Sequence, residues 1–171
     1  MTYLCRQFLN RKIHSGDPMI DAFLACQFFV VLFIALHDWI PLGSLNNLKG
    51  ARSADSTGKL LTVTALSTLP FAIGLVGSAY CASTRFPTWL VWLLWITYGG
   101  AMYGLLRAWY VPYLLVEEPA RVTRYKKMFS HTHAFLPTRN GIAPNTLHVI
   151  FHAVLLATAV LLVSLTYHRL F

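Results

Sequence analysis

Two histidines four positions apart, His148 and His152, are the residues of this sequence best placed for chemistry. In a helix, positions i and i+4 lie on one face, so two such imidazoles can bind one metal ion. The residues between them are Val-Ile-Phe, so the glutamate of the zinc-protease HExxH helix is absent. His131 and His133 would lie on one side of an extended chain. We predict His131, His133, His148 and His152 as candidate ligands for zinc, iron or copper.

Two other interpretations of these histidines stay open. His148 and His152 can hydrogen-bond to neighbouring helices, while His131 and His133 lie at the membrane interface without a ligand. Alternatively, two helices could each offer one axial histidine to haem, for example His37 opposite His148 or His152. The only feature that supports haem binding is that these histidines would lie at a similar depth in the membrane.

A second group of chemically capable residues is His37, Asp38 and Arg107. These residues end two apolar stretches, and ionisable residues in such positions are costly unless they have a function or a partner. Asp38 and Arg107 could pair, or either could bind a charged headgroup or a small anion. We therefore predict His37, Asp38 and Arg107 as ligand-binding residues. The aromatic residues beside them are explained equally well as an aromatic belt at the membrane interface.

Four long apolar stretches must position these residues: 22–40, 60–82, 86–106 and 146–167. They contain no Lys, Arg or Glu, and their only Asp is Asp38. A helix needs about 20 apolar residues to cross the hydrocarbon layer. The sequence therefore predicts an all-α integral membrane protein, a bundle of four transmembrane helices. Its 171 residues leave little chain for anything else, so we expect one membrane domain over residues 1–171.

The longest connection joins the third and fourth spans and contains an amphipathic segment. We predict a short interfacial helix over about 119–131, with acidic residues near its start and basic residues near its end. Three apolar residues share one face of this helix: Val122, Tyr125 and Phe129. An ordinary solvated connector explains the same pattern equally well.

The composition supports a membrane protein and excludes a nucleic-acid binder. Charged residues make up 12% of the chain, against about 25% in soluble domains. The formal net charge of +8 comes from basic residues that flank the apolar stretches, where they meet lipid headgroups. We expect the lipid bilayer as the main partner, with self-association or a membrane protein as a further partner. The three cysteines form no CxxC pair, which argues against a thiol-redox motif.

An even number of spans places both termini on one side and both longer loops on the other. The loop side carries 9 of the 14 Lys and Arg residues. The positive-inside rule therefore predicts that the loops are cytoplasmic. Residues 1–19 show no pattern of a cleaved signal peptide, so we expect the first span to direct insertion.

The span order also brings five of the seven histidines to the loop side. Our leading hypothesis is a ligand- or metal-binding pocket at this face, which acts on or carries a lipid, an ion or another small amphipathic ligand. Whether such a pocket would catalyse, transport or sense is left open by the sequence. The alternative is a non-catalytic membrane subunit or assembly factor, in which the polar cluster only ties loops to the bundle.

Overall fold

The computed structural model describes residues 17–170, and of residues 168–170 only the backbone. Residues 1–16 lie outside the described part, and with them Cys5 and the basic residues Arg6, Arg11 and Lys12 of the charge comparison. Four described helices are long and apolar enough to cross a membrane. These are α1 (Pro18–Leu36), α3 (Thr57–Tyr80), α4 (Thr88–Leu114) and α6 (Thr146–Leu170). The prediction of an all-α, four-helix membrane protein is confirmed.

Two shorter helices lie on the loop side, α2 (Leu48–Ala54) and α5 (Pro119–Phe129). The four long helices form a closed bundle in which α1 and α4 each pack against both α3 and α6. Its interior contains Phe23, Leu94, Tyr98 and Leu155, each almost fully buried. Large apolar side chains such as Ile96, which is 71% exposed, cover the outside and would contact lipid.

The first helix begins at Asp17 and Pro18, a residue pair typical of helix starts, and ends before the predicted stretch 22–40 does. Asp17 accepts a hydrogen bond from the Met19 amide at 2.9 Å and so caps the helix that Pro18 starts. The predicted span continued to Ile40, whereas the helix ends at Leu36. Pro41 disfavours helical geometry at Ile40, and the chain turns with the Trp39 and Ile40 amides on the Leu36 carbonyl. This turn brings His37 and Asp38 to the end of the bundle.

The third span is longer than its predicted end at Leu106, because a π-helical turn accommodates a proline. An α-helical part, Thr88–Leu105, leads into the π-helical turn Leu106–Tyr110 and a last α-helical turn. Pro112 has no amide hydrogen and cannot donate to the Ala108 carbonyl, its α-helical partner. That carbonyl instead accepts hydrogen bonds from the Tyr125 hydroxyl at 2.5 Å and from Arg121 at 3.2 Å. The proline of α4 thus provides the site at which α5 docks.

The predicted interfacial segment is a helix, and its apolar face packs on the protein. The Tyr125 ring stacks on Trp109 of α4 with ring centroids 4.7 Å apart, and Phe129 lies 5.2 Å from the same indole. Val122 is buried against Tyr113. This helix therefore covers the loop-side end of α4.

Helix α2 was not predicted, since its sequence suggested only a polar loop. Asn47 caps it by accepting a hydrogen bond from the Gly50 amide at 2.9 Å. The helix packs against α5 so closely that a Cβ at Gly50 would lie 2.6 Å from the Lys127 carbonyl oxygen and 2.7 Å from that of Met128. Arg124 of α5 and Lys59 of α3 both bind the carboxylate of Asp55 just after α2. The two connections therefore form one layer, which we call the loop layer (residues 37–56 and 115–145).

We predict that Gly50→Ala separates α2 from α5, because backbone atoms cannot move aside for the added methyl group. The expected loss of stability is about 1–3 kcal/mol, the usual cost of overpacking. Thermal unfolding of the detergent-purified protein measures it. Gly58→Ala is the matched control, since Gly58 also lies in a first helical turn but has no atom within 4 Å of the point where a Cβ would lie. That control should be neutral or stabilising by up to about 1 kcal/mol; equal losses in both variants would contradict the close packing.

Candidate functional site

A cavity of about 50 Å³ lies between the loop layer and the ends of α1 and α6. Its polar lining consists of two imidazoles, one carboxylate and three carboxamides. These belong to His37, Asp38, Asn46, Asn47, Asn145 and His148. Helix α2 and the end of α5 supply the apolar part of the wall, through Leu48, Ala51, Met128 and Phe129.

The ring of His37 is fixed by the helix that it ends. Its Nδ1 lies 2.9 Å from the Phe33 carbonyl oxygen, and a carbonyl only accepts, so Nδ1 carries a proton. The ring stacks on Phe33 with centroids 4.5 Å apart. The other nitrogen, Nε2, lies 3.3 Å from the carboxylate of Asp38. His37 therefore presents Nε2 beside a negative charge.

The ring of His148 is fixed in a similar way by Asn145. The Asn145 side chain caps α6, because its Oδ1 accepts the His148 backbone amide at 3.0 Å. The same oxygen lies 2.7 Å from His148 Nδ1. Because a backbone amide must donate, the facing atom is the carboxamide oxygen, and His148 Nδ1 therefore also donates. In its neutral form, His148 has its lone pair on Nε2.

The two fixed imidazoles come from helices far apart in sequence and meet at the cavity. Their ring centroids are 5.5 Å apart and nearly perpendicular. Both have Nδ1 hydrogen-bonded to an oxygen acceptor, so Nε2 is the nitrogen that could bind a ligand, and in His37 this nitrogen faces the Asp38 carboxylate. This arrangement is typical of histidines that bind metal ions through Nε2, because the outer hydrogen bond fixes the tautomer.

Arg107 does not join this cavity, and the suggested pair between Asp38 and Arg107 does not form. Arg107 binds the carboxylate of Glu118 at 2.6 Å, and Arg121 binds the other oxygen of Glu118 at 2.9 Å. Asp38 instead lies beside His37. Arg107 pairs with Glu118 instead of Asp38 because the chain after α4 places Glu118 next to Arg107 at the start of α5.

The other three predicted histidines lie in different surroundings. His133 is exposed, with Nδ1 2.7 Å from the Thr146 hydroxyl, and His131 is exposed in a left-handed backbone conformation with φ of 65°. His152 lies one turn from His148, with ring centroids 6.2 Å apart, and its buried Nδ1 has no hydrogen-bond partner. Within residues 17–167, no three His, Cys, Asp or Glu side chains are grouped so that they could hold a metal ion. The predicted set of four histidine ligands is thus not brought together.

Several residues of the site were not predicted from the sequence. Asn46 donates to the His37 and Ile40 carbonyls at 2.7 and 2.8 Å and holds the turn after α1. Trp109 was expected only as one of the aromatic residues beside Asp38 and Arg107, and it lies against both His148 and His152, with centroids 4.9 and 5.5 Å away. Only for Asn145 does the sequence contain an indication of this role, because it is an N-cap residue type three positions before His148.

Comparison with known proteins adds no relative: no protein-family model, no curated protein and no solved structure matches this sequence. The fold and the site therefore define only a class. This chain is a small multi-pass helical membrane protein with a polar cavity under its loop layer.

Two carboxylates outside the spans, Asp55 and Glu118, form ion pairs that make the loop layer sensitive to acid. Arg121 and then Arg107 lower the pKa of Glu118 below its usual range, and Lys59 and then Arg124 do the same for the pKa of Asp55. A carboxyl group with a lowered pKa stabilises the folded state above its unfolded pKa of about 4 and loses this contribution as pH falls through the folded value.

We therefore predict that the α5 amides of the wild-type protein lose protection from hydrogen exchange below about pH 4, where Glu118 and Asp55 take up protons. Glu118→Gln should show reduced protection already at neutral pH and a weaker acid dependence. Glu117→Gln is the matched control, because Glu117 makes no ion pair with any residue from 17 to 167. An unchanged acid dependence in Glu118→Gln would contradict the role of the pair.

Proposed function

We propose that this protein binds a small cation in the cavity at the loop-side face, and that a divalent transition metal ion fits the donors best. His37 and His148 would bind the ion through Nε2, and Asp38 would supply a negative charge nearby. The proposal rests on the hydrogen bonds that hold both rings. His37 Nδ1 donates to the Phe33 carbonyl, and His148 Nδ1 donates to the Asn145 side-chain oxygen. Imidazole nitrogen suits zinc, copper and iron.

The size of the cavity supports an ion over a lipid or another large ligand. Pockets for drug-sized molecules measure about 300–1,000 Å³, whereas this cavity measures about 50 Å³. One buried water needs a cavity volume of roughly 10–15 Å³. The cavity therefore suits an ion with a few waters. Because only two imidazoles are proposed as direct ligands, water would complete the coordination.

Charge supports the same ligand. Asp38 is the only charged side chain apart from the histidines in the described lining, and it is acidic. Arg107 is absent from this lining and pairs with Glu118. An anion would meet the Asp38 carboxylate directly. We therefore favour a cation over the anion or headgroup considered from the sequence.

A non-catalytic subunit or assembly factor is the second candidate, and a specific observation favours it. Three asparagine side chains of the cavity wall also join separate segments of the chain. Asn46 holds the turn after α1, Asn47 donates to the Ser130 carbonyl at 3.0 Å, and Asn145 donates to the Leu45 carbonyl at 3.4 Å. In this interpretation the polar residues stabilise the loop layer and bind nothing.

We predict that the purified protein binds about one zinc ion per chain, and that His37→Ala and His148→Ala each weaken this binding at least about 10-fold. Equilibrium dialysis with elemental analysis measures it. His133→Ala is the matched control, since His133 is exposed and outside the cavity wall, and it should bind zinc like the wild type. Absence of zinc binding by the wild type, or equal loss in His133→Ala, would contradict the proposal.

Thermal unfolding with and without zinc separates the two candidates. A ligand that binds only the folded state raises Tm. The cation-binding proposal predicts that zinc raises the Tm of the wild type and of His133→Ala but not of His148→Ala. The subunit interpretation predicts that zinc shifts none of them, although His148→Ala unfolds at a lower temperature.

A further inference from the structure

The outer side of the loop layer carries a group of positive charges, which we call the basic patch. It consists of Lys49 and Arg52 of α2 and of Lys126 and Lys127 of α5, and all four side chains are exposed. The two helices touch beside these residues, because a Cβ at Gly50 would lie 2.6 Å from the Lys127 carbonyl oxygen. Two segments far apart in the sequence therefore place their cations on one surface.

The acidic residues of the loop layer do not neutralise the basic patch. None of its four cations forms an ion pair with a residue from 17 to 167. Asp55 and Glu118 each bind two other cations already, and Asp38 lies beside His37. Like charges on neighbouring positions repel each other, so anions beside the patch would stabilise it.

The depth of the loop layer in the bilayer follows from the length of α1. This helix has 19 residues, so at about 1.5 Å per residue it spans about 28 Å, close to the hydrocarbon thickness of about 30 Å. Its loop-side end, next to His37, therefore lies near the hydrocarbon boundary. The His148 ring is 5.5 Å from the His37 ring, and the Trp109 ring is 4.9 Å from the His148 ring. Trp109 of α4 thus lies near the same boundary.

Helix α5 packs on α4 at this boundary and beyond it. Tyr125 stacks on Trp109, and Val122 is buried against Tyr113, four residues further along α4. The headgroup region on each side of a bilayer is roughly 5–8 Å thick, about the length of one helical turn. Helix α5 and its exposed cations therefore lie at the depth of the lipid headgroups.

We propose that the basic patch is a docking surface for anionic phospholipids of the surrounding bilayer. Their phosphate groups lie at the depth of α5, and they lack the ammonium group with which a zwitterionic headgroup balances its own phosphate. One Lys or Arg near such a surface favours anionic lipid by about 5-fold. The patch lies outside the cavity lining, so lipid binding does not depend on the proposed cation.

Native mass spectrometry of the detergent-purified protein tests the proposal, because it counts the lipids bound when phosphatidylglycerol or phosphatidylcholine is added. We expect the wild type to bind its first phosphatidylglycerol at least about 5-fold more tightly than phosphatidylcholine. Lys49→Gln and Lys127→Gln should each weaken phosphatidylglycerol binding by about 5-fold and leave phosphatidylcholine binding unchanged. Lys127→Arg keeps the charge and should bind both lipids like the wild type.

Arg85→Gln is the matched control, since Arg85 is exposed in the turn between α3 and α4, at the opposite end of the bundle. It should keep the wild-type affinity for the first phosphatidylglycerol. Equal affinities of the wild type for the two lipids, or the same loss in Arg85→Gln as in Lys127→Gln, would overturn the proposal. Displacement of phosphatidylglycerol by an equal concentration of glycerol 3-phosphate or of a polyglutamate peptide would identify a soluble anion as the occupant and would also overturn it.

Discussion

The structure depends on how the polar groups at the loop-side ends of the spans find partners. Helix ends leave backbone amides and carbonyls unpaired, and the apolar spans bring these ends to the edge of a medium that cannot satisfy them. Here side chains from other segments supply the partners. Asn145 caps α6, Asn46 holds the end of α1, and Tyr125 with Arg121 binds the carbonyl that Pro112 leaves free in α4. The loop layer is ordered because it makes these bonds, and the cavity forms where it closes over the helix ends.

The need of the span ends for hydrogen-bond partners explains why two imidazoles are held at one place. His37 ends α1 and uses the helix's own Phe33 carbonyl, while His148 begins α6 and shares the oxygen that caps that helix. Each histidine is therefore oriented by the same bonds that end or begin a span.

The sequence predicts the spans well because hydropathy and length act locally. It also predicts that His37 and His148 share a face, because an even number of spans determines which ends meet. Other features depend on contacts between distant segments and could not be predicted. The pairing of Arg107 with Glu118 follows from the path of the chain into α5, and α2 depends on close packing of Gly50 against α5. The extension of α4 past Leu106 depends on a proline whose unpaired carbonyl is satisfied by another helix.

X-ray absorption spectroscopy at the zinc edge tests the central claim most directly, because imidazole ligands produce a distinctive outer-shell scattering. The account predicts that zinc bound to the wild-type protein shows two imidazoles, that His148→Ala retains one, and that His133→Ala retains both. A bound ion surrounded only by oxygen, without imidazole scattering, would contradict the claim that His37 and His148 form the site.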